Sequence, residues 1–409
     1  MKILVIVGND LYINSSANLC HIAYIQGLNT KDNDITVLTG KSGNYVSNQN
    51  TSIPQNDNIH YIYYERENII DKISRAIKAF LIKHKSVEPQ TSNVINNDNS
   101  LKSLRNIKRL LMNKIYYIDW TWIKRASKFS SNEIYDFVIS LSTPHASHKV
   151  AYNLIKRKNI RYKHYIQIWE DPWTEDLFFE SKKKFLFEQE EANLLSIADL
   201  IYYVSPITLT YQKEKFIKSA DKMRWMPLPY YYNDYKIPDY SVVQFGYFGD
   251  FYPHVRNIMP LYEAFTSLNY PLIICGNPEN YLESTDNIHV YGRMPIQQLK
   301  HYEDSTNILV FICNLHGGQI PGKLYQYSAT KKKILFILDG TAEEIGIIKK
   351  YYDKFNRYYF CENNAESIRK TVQELLLDSS VNNEVLECFS SQNIVKNILQ
   401  NKTGDNIFD

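Results

Sequence analysis

The chain has 409 residues, more than one hydrophobic core usually supports, so we expect two domains of about 200 residues each. Its 44% hydrophobic and 22% charged residues are ordinary for a globular protein. The net charge of +3 is too small to indicate nucleic-acid binding. No run of 18 apolar residues occurs, so the sequence predicts no membrane-spanning helix.

The first apolar segment, MKILVIV, is too short for a signal peptide and predicts a buried strand at Lys2–Val7. The five cysteines are scattered without a C-x-x-C pair. Two of them, Cys275 and Cys313, fall in apolar segments that are typical of strands. We therefore expect buried free thiols, which suit a reducing cytoplasm.

Short β-branched runs alternate with helical patterns along the chain, which predicts parallel sheets flanked by helices. In the first half, strands are predicted at 2–7, 35–39, 60–64, 136–141, 164–169 and 200–204. In the second half, they are predicted at 243–248, 271–275, 287–291, 307–313, 333–338 and 357–361. The simplest architecture is α/β, with two doubly wound, Rossmann-like sheets in series.

The domain boundary is expected near Pro227 and Pro229, because two nearby prolines discourage a helix and favour an extended hinge. This places an amino-terminal domain at 1–228 and a carboxyl-terminal domain at 229–383. The tail from 384 to 399 has a helical pattern, so residues 384–409 are treated as a third segment.

A basic block spans residues 72–128, with 13 Lys and Arg against three acidic residues. It contains two amphipathic helical patterns, at 70–80 and 102–111, separated by the polar segment 86–100. Two interpretations are open. These are core-facing helices with solvated basic faces, or they form a surface held against anionic lipid.

A glycine-rich segment lies between the predicted strands 307–313 and 333–338. A turn there, feeding a helix that starts near Pro321, directs unpaired backbone N–H groups to the crevice outside the strand ends. Such a helix start attracts phosphate. Lys323 adds a positive charge, and Gln326 lies one helical turn further along the same face.

Residues 320–329 (IPGKLYQYSA) resemble the donor-phosphate loop of retaining GT-B glycosyltransferases, in particular glycosyltransferase family 4. Other short motifs follow in the order typical of that family: 142–148 (STPHASH), 171–174 (DPWT), 198–200 (ADL), 204–205 (VS) and 246–249 (GYFG). The resemblance covers nearly the whole chain. It implies a GT-B fold, in which two Rossmann-like domains face each other across a cleft and the last helix crosses back to the first domain.

The resemblance also implies that the carboxyl-terminal domain binds the nucleotide diphosphate of a sugar donor. The candidate donor-binding residues are Gly246, Gly249, Arg256, Gly292, Arg293, Gln319, Ile320, Gly322, Lys323 and Gln326. Arg256 and Lys323 would stabilise the negative charge of the leaving diphosphate, and Gly246 and Gly249 would allow a close backbone approach. Two of these candidates have a second interpretation in which they bind no ligand. Arg256 is then a surface arginine, and Arg293 is a solvated loop residue.

Two positions depart from the family pattern. Gln326 stands where the family usually has a glutamate that accepts hydrogen bonds from both ribose hydroxyls, and an amide offers only one acceptor oxygen. Gly318 stands where many members carry a second glutamate next to the donor sugar.

In the amino-terminal domain, His145 follows the predicted strand 136–141, at the carboxyl edge where ligands bind in α/β sheets. The resemblance makes it the candidate catalytic residue, and it places Asn14, Ser15 and Ser16 on the acceptor side. His148 is expected to pack internally. The D-x-D spacing at 32–34 precedes a strand, as a turn would, so no metal site is predicted.

These observations predict a cytoplasmic glycosyltransferase, which the second interpretation of the block 72–128 places at the periphery of the inner membrane face. It would use a UDP- or GDP-linked hexose donor without a cofactor or metal, and the resemblance adds retention of configuration. A glycan or lipid-linked acceptor for a bacterial surface polysaccharide, such as lipopolysaccharide or capsule, fits this interpretation. The alternatives are an inactive nucleotide-sugar-binding or scaffold protein, and a sugar-nucleotide epimerase, for which no pair of acid–base carboxylates is found.

Overall fold

The structure is a computed structural model that describes residues 1–43, 51–67, 117, 119–176, 179, 181, 183–277, 282–315, 320–378 and 383–400. The chain divides into two compact units, one made of 1–21, 29–169 and 178–201, the other of 22–28, 170–177 and 202–409. Three sequence predictions lie outside the described residues: the helices at 70–80 and 102–111, most of the basic block 72–128, and Gln319.

The first sheet has seven strands in the order β3-β2-β1-β4-β5-β6-β7. Their bounds are β1 (Lys2–Val7), β2 (Asp34–Lys41), β3 (Ile59–Glu65), β4 (Ile134–Ser142), β5 (Arg161–Trp169), β6 (Leu200–Tyr203) and β7 (Met223–Trp225). Strand β1 pairs in parallel with both β2 and β4. Its run from Ile3 to Val7 is fully buried, as expected for a central strand covered on both faces. The strand β3 at the sheet's edge is partly exposed.

The second sheet has six strands in the order β10-β9-β8-β11-β12-β13. Their bounds are β8 (Phe245–Phe248), β9 (Leu272–Cys275), β10 (Ile288–Tyr291), β11 (Ile308–Ile312), β12 (Lys333–Leu338) and β13 (Tyr359–Glu362). The neighbouring strands run parallel. Strands β11 and β12 are buried along their whole length, so they form the centre of the core.

Helices connect the strands in both sheets. Their bounds are α1 (Ser16–Leu28), α2 (Trp120–Ala126), α3 (Ala146–Lys156), α4 (Lys184–Ser196), α5 (Pro206–Lys215), α6 (Met259–Ser267), α7 (Ile296–Ser305), α8 (Lys323–Ser328), α9 (Ala342–Tyr352), α10 (Ala365–Leu377) and α11 (Ser391–Gln400). Helix α9 shows how the sequence starts a helix. Thr341 and Glu344 form a capping box, in which each side chain accepts a hydrogen bond from the other residue's backbone N–H.

The predicted α/β class with two parallel, doubly wound sheets is confirmed. Each predicted strand is present, and its ends agree to within three residues. Strand β7 was not predicted, because three residues are too few to show the alternating pattern of a strand. Cys275 and Cys313 are buried free thiols, as predicted. Within the described residues, no helix is both long and apolar enough to cross a membrane.

Candidate functional site

Both sheets reverse their strand order at one place, and ligands of open α/β sheets bind outside the carboxyl ends of the strands at such a switch point. In the first sheet the reversal lies between β1 and β4, and in the second between β8 and β11. Candidate residues that closely follow one of these strands in the chain are therefore expected to lie near the ligand-binding edge of their own sheet.

In the amino-terminal sheet, the loops after β1 and β4 meet at the switch point. The side-chain amide of Asn9 donates a hydrogen bond of 2.8 Å to the carbonyl oxygen of Thr143. His145 is half-buried at the start of α3, and its ring centroid lies 5.4 Å from that of Trp169. The structure thus places the candidate catalytic histidine at the predicted edge of the sheet.

The three acceptor-side candidates lie in the loop after β1. The hydroxyl oxygen of Ser15 accepts a hydrogen bond of 3.2 Å from the backbone N–H of Asn18, in the first turn of α1. Ser15 therefore has a structural role as a helix cap. Asn14 is half-buried, and Ser16, the first residue of α1, is exposed.

Near His145, a chain of buried polar side chains connects α3 to strands β4 and β5. The Nδ1 atom of His148 lies 2.7 Å from the Ser140 hydroxyl, which lies 3.0 Å from the Tyr165 hydroxyl. Gln167 continues the chain to Tyr165 and to the indole N–H of Trp169. Burial, and then the charges of two neighbouring histidines, holds the pKa of His148 well below its usual value. His148 is thus a neutral packing residue, as expected from the sequence.

In the carboxyl-terminal unit, Arg256 lies at the switch point between β8 and β11. Its Nη1 group donates a hydrogen bond of 2.7 Å to the backbone oxygen of Asp250, which follows β8. Its Nε and Nη2 groups donate to the side-chain oxygen of Asn314, which follows β11, at 3.2 and 2.7 Å. Both acceptors are uncharged, and among the ion pairs of the described residues none involves Arg256. Within the described residues, no carboxylate therefore pairs with this guanidinium at the sheet edge.

Arg293 shares Asp250 with Arg256, but in a different way. Its guanidinium forms an ion pair with the Asp250 carboxylate, with an Nε–Oδ1 distance of 2.9 Å. The hydrogen bond to Asp250 raises the pKa of Arg293. Its side chain is 75% exposed, so this pair is a solvated loop contact of small energetic value.

The candidate glycines differ in whether their surroundings leave room for a side chain. A Cβ atom on Gly246 would lie 2.5 Å from the Phe248 ring, so packing requires this glycine. A Cβ on Gly249 would make only ordinary contacts, and Gly292 has open space around it. The role of Gly276 was not predicted from the sequence. A Cβ atom there would lie 2.2 Å from the backbone oxygen of Gly249. Close backbone approach at this edge therefore depends on Gly276.

The helix α8 that follows the glycine-rich segment begins at Lys323, with Gly322 half-buried before it and Ile320 buried. The ammonium of Lys323 forms an ion pair with Glu303 of α7 and lies 5.8 Å from the ring centroid of Tyr327. The hydroxyl of Tyr327 donates a bond of 3.5 Å to the backbone oxygen of Phe248, the last residue of β8. Lys323 therefore lies in the same unit and near the same strand end as Arg256.

Gln326 is buried, and both polar atoms of its amide contact the main chain of 231–232. Its nitrogen donates to the Tyr232 carbonyl at 2.7 Å, and its oxygen accepts from the Tyr231 N–H at 3.4 Å. A cavity of about 20 Å³ lies beside it, lined in part by Tyr232, Glu303 and Lys332. This space holds about one water molecule, so it is too small for a nucleoside.

Glu303 and Asn314 are the neighbours of the candidate residues that the sequence did not identify. Asn314 follows the predicted strand 307–313, so the rule of strand carboxyl ends could have found it. No sequence pattern marked Glu303, because it belongs to a helix whose position over α8 depends on the fold.

The burial of Cys275 raises the pKa of its thiol to about 12. The negative charge of Glu303 raises this pKa further, and the positive charge of Lys323 lowers it.

Among the described residues, no three His, Cys, Asp or Glu side chains come together in a way that could hold a metal ion. The absence of a cofactor and of a metal in the reaction stays a prediction.

Comparison with known proteins gives a clear result only for the fold. No protein-family model and no curated protein matches the sequence. Solved structures do match. A glycosyltransferase from Rickettsia africae is 12% identical over 98% of each chain, with a TM-score of 0.55. The lipopolysaccharide outer core galactosyltransferase WaaB is 11% identical over 97% of this chain and 98% of that one, with a TM-score of 0.53.

A third structure, trehalose-phosphate synthase from E. coli bound with UDP-2-fluoro glucose, is 10% identical over 98% of this chain and 97% of that one, with a TM-score of 0.52. At these identities the likeness establishes the architecture and no more. The chain has a GT-B fold, the architecture of these glycosyltransferases.

Proposed function

We propose that the protein is a glycosyltransferase of the family 4 type, which transfers a hexose from a UDP- or GDP-linked donor to an acceptor hydroxyl. The observation that carries this proposal is Arg256, an arginine with uncharged partners at the switch point of a GT-B sheet. A diphosphate placed there would meet a full positive charge in a partly buried setting, where such interactions are strong.

In this reaction the bond between the anomeric carbon and the diphosphate oxygen breaks, and a bond from that carbon to the acceptor oxygen forms. The diphosphate leaves with the bonding electrons, and the proton lost from the acceptor hydroxyl passes to the departing diphosphate. Arg256 and Lys323 stabilise the charge that develops on the departing diphosphate. The family resemblance assigns His145 a contact with the sugar or the acceptor. Retention of configuration, independence of metal and the absence of a cofactor come from the family resemblance.

The acceptor is proposed to be a glycan or a lipid-linked glycan of a bacterial surface polysaccharide. One of the structures that share this fold is a lipopolysaccharide outer core galactosyltransferase, and extending its class of acceptor to this chain is part of the proposal. The basic block 72–128 supports a peripheral contact with the inner face of the cell membrane.

Calorimetry with UDP and GDP tests the donor site. We expect one of them to bind the wild type, and Arg256→Gln and Lys323→Ala each to weaken that binding at least about 10-fold, since charge-assisted hydrogen bonds are lost. Lys323→Ala also leaves the Glu303 carboxylate without its partner, which adds to the loss. The control is Lys370→Ala, which removes a lysine that is 78% exposed on α10 and should leave binding unchanged. No binding to the wild type, or equal binding to all variants, would defeat the assignment.

One observation favours a second candidate, a nucleotide-sugar-binding protein without turnover. Gln326 replaces the expected glutamate, and its amide is held by the main chain of 231–232. Incubation of the purified protein with donor sugars and glycan acceptors separates the candidates. A transferase forms a glycoside only with acceptor, a binding protein forms no product, and an epimerase changes the donor without acceptor.

A further inference from the structure

The two cations of the proposed donor site have different partners. Arg256 bonds to an amide oxygen and a backbone oxygen, whereas Lys323 forms an ion pair with a carboxylate. That carboxylate, Glu303, comes from α7, twenty residues earlier in the chain. Phosphate at the donor site would meet the uncompensated charge of Arg256 but a lysine that already has an anionic partner.

The Glu303 carboxylate is held firmly in place. Its side chain is 14% exposed, and the Tyr232 hydroxyl donates a hydrogen bond of 3.4 Å to its other oxygen. The backbone oxygen of Glu303 also accepts a bond from the ammonium of Lys332. Burial of Tyr232, with the nearby Glu303 charge, raises the pKa of the tyrosine, which stays protonated and able to donate. The carboxylate therefore has a second side-chain partner that keeps it beside Lys323 in the structure.

Lys323 itself is less confined. Its side chain is 34% exposed, and an ammonium has three N–H donors, of which the ion pair uses one. Phosphate oxygens could reach the remaining donors from the solvent side while Glu303 stays bound. In that arrangement the carboxylate reduces the attraction between Lys323 and any anion that approaches it.

We propose that Glu303 is a positioning residue that limits the affinity of Lys323 for diphosphate and thereby speeds the release of the nucleoside diphosphate product. This inference rests on the proposed function. A donor site with two uncompensated cations would hold product tightly, and product release often limits turnover in enzymes. Glu303 fixes the direction of the ammonium and removes part of its electrostatic attraction.

The test is Glu303→Gln, which keeps the size of the side chain and one oxygen that can accept from Lys323, but removes the charge and places an amide N–H opposite the Tyr232 hydroxyl. We expect the dissociation constant for UDP or GDP, whichever binds, to fall about three- to ten-fold. With the active enzyme, kcat and the KM for donor should fall together as product release slows. The matched control is Asp304→Asn, which removes a charge at the next residue, where the carboxylate pairs with Lys300 at 3.2 Å. Its affinity should change less than two-fold.

A double-mutant cycle shows whether the effect passes through Lys323. In a Lys323→Gln background, Glu303→Gln should no longer tighten nucleotide binding, because the ammonium that it releases is absent. Equal affinity of wild type and Glu303→Gln, weaker binding by that variant, or the same tightening in both backgrounds would overturn the inference. Failure of the wild type to bind UDP or GDP would instead refute the proposed function itself. Thermal melting of each variant confirms that it is folded.

Discussion

Gly27 lies near the end of α1, where a methyl group would meet the main chain of α11. A Cβ atom at this position would lie 2.1 Å from the carbonyl oxygen of Ser391 and 2.8 Å from a methyl carbon of Val395. Ordinary contacts between such atoms are about 3.5 Å, so Gly27→Ala would push α11 away by more than about 1 Å. Because α11 buries Ile394, Val395 and Ile398, this shift would disturb packed side chains.

Whether Gly27→Ala lowers or raises the stability shows whether Gly27 contacts Ser391. Alanine is favoured over glycine in a helix interior by about 1 kcal/mol, whereas overpacking costs about 1–3 kcal/mol. The difference leaves Gly27→Ala destabilised by up to about 2 kcal/mol, which lowers the melting temperature by up to a few degrees. Gly346→Ala in α9 is the matched control, since a Cβ there meets no atom within 4 Å. It should stabilise the protein by up to about 1 kcal/mol.

Differential scanning calorimetry of the wild type and both variants measures these shifts. A higher melting temperature for Gly27→Ala, of the size seen for Gly346→Ala, would show that Ser391 does not contact α1. That result would refute the close approach of Gly27 to Ser391.

Two further predictions concern stability. His148 is buried with a pKa well below the value of about 6.5 that it has when unfolded, so the unfolded state takes up its proton first as the pH falls. The stability contributed by neutral His148 is therefore complete above pH 6.5 and is lost below it, by at most about 1.4 kcal/mol per pH unit. Between pH 7.5 and 5, urea unfolding should show that His148→Gln loses less free energy of unfolding than the wild type does. His60→Gln, whose wild-type side chain is 59% exposed, should lose as much as the wild type. An equal dependence of stability on pH in the wild type and His148→Gln would contradict this account. Thr341→Ala removes one half of the capping box of α9 and should cost about 0.5–2 kcal/mol in the same assay, whereas no change would mean that the box does not form in solution.

Much of the fold could be predicted because strand formation depends on local pattern. The uninterrupted apolar run from Ile3 to Val7 is a central strand of a parallel sheet, and 333–338 behaves in the same way. Once the strands are known, the residues that follow them mark the carboxyl edges. This is why His145 could be placed at a carboxyl sheet edge, and Arg256 in a loop that follows a strand, from the sequence.

The partners of the site residues could not be predicted in the same way. Lys323 pairs with Glu303, and Gln326 bonds to the main chain at 231–232, although no sequence pattern connects these positions. Gly246 was assigned to the donor site, whereas its contacts show that internal packing alone accounts for a glycine there. The close approach of Gly276 to Gly249 was missed because it depends on the distance between two adjacent strand ends.

The amino-acid sequence by itself determined where the strands lie, that they form two α/β sheets, and which basic residues follow the strand ends. Hydrophobic periodicity and strand-end position are local properties, and they need no knowledge of what packs nearby. Only the tertiary structure decided that Arg256 has uncharged partners while Lys323 has a carboxylate. The charge that a lysine or arginine presents to a ligand depends on its neighbours in space, and those come from elements that the chain brings together only when it folds.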